Sequence, residues 1–92
     1  MTKLDQRSVP YLGEAVKRLR GFAAKTQGTL AKEAGVSSTY LSMIEKGLRT
    51  PDLGTLAKIA KALGFRLSEV LHLAERLEDK PHLRPDLPKE GS

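Results

Sequence analysis

The chain has 92 residues, enough for one small domain with a modest core, and it lacks the apolar run of about 18 residues needed to span a membrane. It contains no cysteine, which excludes disulfide frameworks, thiolate metal sites and cysteine nucleophiles, and which fits a cytoplasmic location. The net charge of +5 is uneven: residues 1–67 hold 12 Lys and Arg against 5 Asp and Glu, residues 68–92 hold 4 against 6, so a body suited to a polyanion carries a mildly acidic end.

Residues 1–9 are polar and unpatterned, and are expected to form a flexible arm with no signal-peptide core. Pro10 is tolerated at a helix start, and a first helix is predicted over Tyr11 to Ala24. Its apolar stripe is Leu12, Val16 and Leu19, and Lys17, Arg18 and Arg20 suit its C-terminal dipole. A second helix fits Gln27 to Ala34, capped by Thr26 and stopped by Gly35, with Leu30, Ala31 and Ala34 inward. A third runs from Ser38 to Lys46, between the cap Ser37 and the stop Gly47. A fourth spans Leu53 to Leu63, capped by Asp52 and ended by Gly64, with Leu53, Leu56, Ile59, Ala60 and Leu63 inward. A fifth spans Ser68 to Leu77, with Leu67, Val70, Leu71, Ala74 and Leu77 inward. Residues 78–92 contain Pro81, Pro85 and Pro88 without apolar periodicity and are predicted to be a disordered tail. The expected fold is all-α, a compact five-helix domain over residues 10–77.

The informative stretch is Gln27 to Gly47. Ala31 is small where the second and third helices must cross, and Gly35 permits the sharp reversal between them. On a helical wheel Leu41, Ile44 and Leu48 define the buried side of the third helix. Thr39, Ser42, Met43 and Lys46 form the outward stripe, with Ser38 and Tyr40 at its edges. The stripe carries no acid, so it can approach DNA closely. Its hydroxyls suit base edges, and the Met43 methyl suits a thymine methyl.

These residues resemble the helix-turn-helix family of lambdoid phage repressors and Cro, often called the XRE family. The matching words are Gln27-Gly28-Thr29-Leu30-Ala31, Gly35-Val36-Ser37, Tyr40-Leu41-Ser42-Met43-Ile44-Glu45-Lys46-Gly47, Pro51 and Ala60-Lys61-Ala62-Leu63-Gly64. The resemblance runs from Leu12 to Leu71 and implies a phage-repressor-like DNA-binding domain. It implies that Gln27 bonds a phosphate, that Ser38, Thr39 and Met43 read bases with Ser42 beside them, and that Ser37, Lys46 and Arg49 hold the backbone. Tyr40 either reaches a phosphate or packs against the second helix. Glu45 matches a glutamate that pairs with an arginine of the first helix, here Arg20, as a structural clamp. Two positions depart from the pattern. Lys25 replaces an apolar residue and is expected to add a phosphate contact. Arg66 replaces the usual Ser or Thr cap of the fifth helix, which moves its expected start to Ser68. Ser, Thr and Met stand where the family often reads with Gln or Arg, which shifts weight toward DNA shape.

The resulting expectation is a sequence-specific regulator of transcription, a repressor bound as a homodimer to a palindromic operator of double-stranded DNA. Half-site centres would lie about 34–36 Å apart. Leu73 beside Leu77 is the expected dimer contact, unless both leucines simply cover the core. A different class of function is an antitoxin or adaptor whose tail, residues 78–92, binds a partner protein such as a toxin. RNA binding is weaker because aromatic stacking platforms are missing. His72 and His82 are lone, and no carboxylate pair, Ser-His arrangement or Gly-rich phosphate loop occurs, so neither an enzyme nor a cofactor is expected.

Overall fold

A computed structural model describes residues 11–79. The predicted arm, Pro10 and the segment from residue 80 onward lie outside the described residues. The elements are α1 (Leu12–Phe22), α2 (Gln27–Ala34), α3 (Ser38–Glu45), α4 (Leu53–Leu63) and α5 (Leu67–Asp79). Val16, Leu30, Leu41, Ile44, Leu56, Ile59 and Val70 are fully buried, so every helix sends at least one side chain into a single core. Helix α1 packs on α3 and α5, while α2 packs on α3 and α4. None of the described helices is long and apolar enough to cross a membrane.

Side-chain caps set three of the helix starts. The Thr26 hydroxyl accepts the Thr29 N–H at 3.0 Å, the Ser37 hydroxyl accepts the Tyr40 N–H at 3.0 Å, and the Asp52 carboxylate accepts the Thr55 N–H at 2.7 Å. Helix α5 solves the problem in reverse. Glu69 reaches back and accepts the Arg66 N–H at 2.7 Å, half of a capping box, so the helix starts at Leu67 rather than at Ser68. It also continues to Asp79, two residues into the segment expected to be tail.

The backbone N–H of Thr55, helped by its hydroxyl, holds the Asp52 carboxyl below the usual carboxylate range. A lowered folded value means that this cap contributes in full above the ordinary value and is lost as pH falls through the lowered one. Asp52→Asn keeps a capping acceptor without the charge. The variant is expected to match the parent's thermal midpoint near neutral pH and to lose less than the parent on acidification, as followed by circular dichroism.

The first four helices end in one motif. One N–H past the helix bonds back five positions, and the N–H before it bonds back three: Lys25 to Arg20 and Ala24 to Gly21, Val36 to Ala31 and Gly35 to Lys32, Leu48 to Met43 and Gly47 to Ile44, Phe65 to Ala60 and Gly64 to Lys61. The motif demands a left-handed residue. Gly35, Gly47 and Gly64 supply it with φ of 76°, 80° and 87°, but at the end of α1 the position is Ala24, with φ of 59°. Hence α1 stops at Phe22 instead of running to Ala24. A left-handed alanine costs about 1 kcal/mol that glycine avoids. Ala24→Gly is expected to stabilise the fold by about 0.5 kcal/mol after glycine's extra chain entropy is subtracted, readable as a raised denaturation midpoint.

Two leucines expected inside are outside. Leu48 is 67% exposed and Leu53 is 63% exposed. Leu48 follows the Gly47 reversal, so the α3 period no longer applies to it. Leu53 opens α4 on its outer side, while Leu56 in the same turn takes the buried position.

Candidate nucleic-acid interface

The candidate surface begins with the seating of α3. Leu41 and Ile44 are fully buried and fix its rotation. Its C-terminal turn lies against α1 at Gly13, where an added Cβ would overlap the Ile44 carbonyl oxygen and sit 3.0 Å from the Glu45 carbonyl group. The α1 backbone therefore touches the α3 backbone, and only glycine fits between them. In the sequence, the one signal of Gly13 is a glycine inside an otherwise good helix.

One residue on, Glu45 forms a buried polar hub. Arg20 Nε donates to Glu45 Oε2 at 2.7 Å and Arg20 Nη2 donates to Oε1 at 3.0 Å, a bidentate pair between α1 and α3. Arg20 Nη1 also donates to the Lys25 carbonyl oxygen at 2.9 Å, which ties down the α1–α2 turn. The hydrogen bond to Glu45 raises the Arg20 pKa further, so the guanidinium stays charged. The expected clamp is thus present, and it has a third member. Gln27 Nε2 donates to Glu45 Oε1 at 2.8 Å, so the residue expected at a phosphate also joins α2 to the hub. That bond uses one of two amide hydrogens and leaves the other for an outside acceptor.

With α3 so fixed, Ser38, Thr39 and Lys46 are exposed, and Ser42 and Met43 are half-buried at the stripe's margin. Glu45, the acid of the helix, points away into the hub. Ser37 spends its hydroxyl on the α3 cap. Tyr40 is half-buried against the core, and the Arg49 guanidinium lies over its ring at 5.4 Å from the centroid. Lys25, expected to add a phosphate contact, already has two partners within the fold: its ammonium donates to Glu33 of α2 and, at 2.7 Å, to the Ala62 carbonyl oxygen of α4. It thereby staples α2 to α4 from the position where the family has an apolar residue. Leu73 and Leu77 are half-buried against the core, so only their outer edges stay open. The described residues contain no cluster of His, Cys, Asp or Glu able to hold a metal ion.

The sequence profile of the helix-turn-helix family matches residues 16–70, from the middle of α1 to the first turn of α5. The chain belongs to this helix-turn-helix family. It carries the family's DNA-binding fold, with α2 and α3 as the helix-turn-helix. An uncharacterized HTH-type transcriptional regulator of Mycobacterium tuberculosis is 43% identical over 61 residues, 66% of this chain and 43% of that protein. The immunity repressor protein of Bacillus phage phi105 is 37% identical over 60 residues, 65% of this chain and 42% of that protein. In both cases the match spans less than half of the relative's length. Among solved structures, the clp gene regulator ClgR from Corynebacterium glutamicum superposes with a TM-score of 0.78 at 30% identity, covering 84% of this chain and 82% of that one. The helix-turn-helix match includes α2, α3 and the loop that carries Arg49, so it covers every residue expected to face DNA.

Proposed function

We propose that the protein is a sequence-specific regulator of transcription that places α3 in the major groove of double-stranded DNA. The observation that carries this reading is the outward face of α3: Ser38, Thr39, Ser42, Met43 and Lys46 stand together without an acid, on a helix locked from behind by Leu41, Ile44 and the Glu45 hub. Ser38, Thr39, Ser42 and Met43 meet base edges. Gln27, Lys46 and Arg49 hold phosphates, and Ser37 serves mainly to cap α3. One helix reads only a few base pairs, so the protein acts as a homodimer on a palindromic operator, with the outer edges of Leu73 and Leu77 on α5 as the contact between copies. Repression is the favoured sign, because occupancy of an operator alone suffices for it and because one relative is named as an immunity repressor.

Selection of bound sites from random duplex DNA tests this directly, and a palindromic consensus is expected. On the selected duplex, Thr39→Ala relaxes one or two positions by about 1–3 kcal/mol each. Lys46→Ala weakens binding to all sequences and lowers the salt slope by about one unit. Failure to enrich any site, or a duplex bound equally well by both variants, overturns the docking face.

A further inference from the structure

We infer that Tyr40 is a positioning residue for DNA binding: its ring holds the Arg49 guanidinium ready for a backbone phosphate, and its hydroxyl is not the contact. The inference rests on the DNA-facing role proposed for α3, and it reassigns a residue that sequence alone left divided between phosphate and core.

The geometry comes from the chain reversal after α3. Gly47 takes the left-handed conformation, and the Leu48 N–H bonds back to the Met43 carbonyl oxygen at 2.9 Å. The chain therefore doubles back along α3, and Arg49 returns to Tyr40, near the start of the helix. Tyr40 is itself fixed. Its N–H is bonded to the Ser37 hydroxyl, and its ring is half-buried against the core. The Arg49 guanidinium lies over that ring, 5.4 Å from its centroid.

The choice of an aromatic support decides what the arginine can do. A carboxylate partner would occupy two of the five guanidinium N–H groups and cancel the charge. A ring supports the cation through its flat face and leaves the in-plane N–H fork and the full charge unused. Among the described residues the ion pairs are Arg18–Glu14, Arg20–Glu45 and Lys25–Glu33, so Arg49 has no carboxylate partner there. An arginine restrained in direction but unspent in charge is pre-organised for a phosphate, because the rotamer entropy lost on binding is already partly lost in the free protein. This gives the aromatic at the edge of the stripe a role beyond packing.

The test uses the full-length protein and a short mixed-sequence duplex at low salt, since a phosphate contact needs no operator. Tyr40→Phe keeps the ring and is expected to bind within about twofold of the parent. Tyr40→Leu removes the support and is expected to weaken binding by about threefold to tenfold with the salt slope unchanged. Arg49→Lys keeps the charge but not the planar stack, and is expected to weaken binding similarly. Arg49→Ala is expected to lower the salt slope by about one unit, and adding Tyr40→Leu to it is expected to change nothing further. Thermal melts of each variant separate these effects from loss of fold. The inference is overturned if Tyr40→Phe is as weak as Tyr40→Leu, or if Tyr40→Leu and Arg49→Lys bind like the parent. It is also overturned if the effect of Tyr40→Leu persists undiminished beside Arg49→Ala. Absence of duplex binding by the parent protein would instead refute the proposed DNA-facing role, a distinct outcome.

Discussion

Gly13→Ala is expected to destabilise the protein by about 3 kcal/mol, although alanine is the better helix former by about 1 kcal/mol. The new methyl group would have to occupy the space of the Ile44 carbonyl oxygen, with the Glu45 carbonyl group only 3.0 Å away. Neither is the far end of a flexible side chain, so relief requires α1 to lift off α3 as a body. That movement pulls Leu12, Ala15 and Val16 out of a core in which they are almost fully buried. For a domain of this size the loss corresponds to roughly 10–20 °C in Tm. Gly21 provides the control within the same helix. No atom lies within 4 Å of its added Cβ, so Gly21→Ala is expected to raise stability by up to about 1 kcal/mol. Opposite shifts in urea midpoint for the same substitution in one helix, the fall at Gly13 larger than the rise at Gly21, would verify the backbone contact. A Gly13→Ala protein as stable as the parent would exclude it.

The same contrast shows what the sequence could reveal. Starts and stops of α2, α3 and α4 were legible because both signals are written locally: Thr26 and Gly35, Ser37 and Gly47, Asp52 and Gly64. The end of α1 was not, since its left-handed residue is an alanine and no pattern distinguishes Ala24 from a helical alanine. The start of α5 was displaced because its cap is supplied from inside the helix by Glu69 and not by the preceding side chain. The site divides along the same line. The α3 stripe follows from periodicity over one short helix, so Thr39 and Lys46 could be placed without coordinates. Lys25 could not, because only the approach of α4 determines that its ammonium meets the Ala62 carbonyl oxygen. Leu48 was misplaced by extending a helical period past a glycine that ends it. Gly13 and the third member of the hub, Gln27, depend on backbones and side chains brought together from separate helices, and beyond the bare presence of a glycine inside a helix no local signal marks them.

Removing one partner of the hub is expected to have an effect as large as that at Gly13, by a different mechanism. Arg20→Ala leaves the Glu45 carboxylate, whose side chain is only 3% exposed, with the Gln27 amide as its remaining partner. An uncompensated charge in such a place costs about 3–5 kcal/mol. The lower figure applies here, because Arg20 keeps 18% of its side chain exposed and its removal admits water to the carboxylate. Glu45→Ala strands Arg20 instead, which can turn toward solvent, so its loss is expected to be smaller. Arg20→Ala combined with Glu45→Ala removes both charges and is expected to recover part of the single-variant loss, a coupling that a double-mutant cycle measures in urea denaturation. DNA affinity adds a second readout. Because Glu45 closes the helix that carries the stripe, conditions in which Arg20→Ala is still folded are expected to show weakened binding to all duplex sequences, with base preference also blurred as α3 loosens. An Arg20→Ala protein with parental stability would show that the three bonds to Glu45 are surface contacts and not the clamp that sets α3 against α1 and α2.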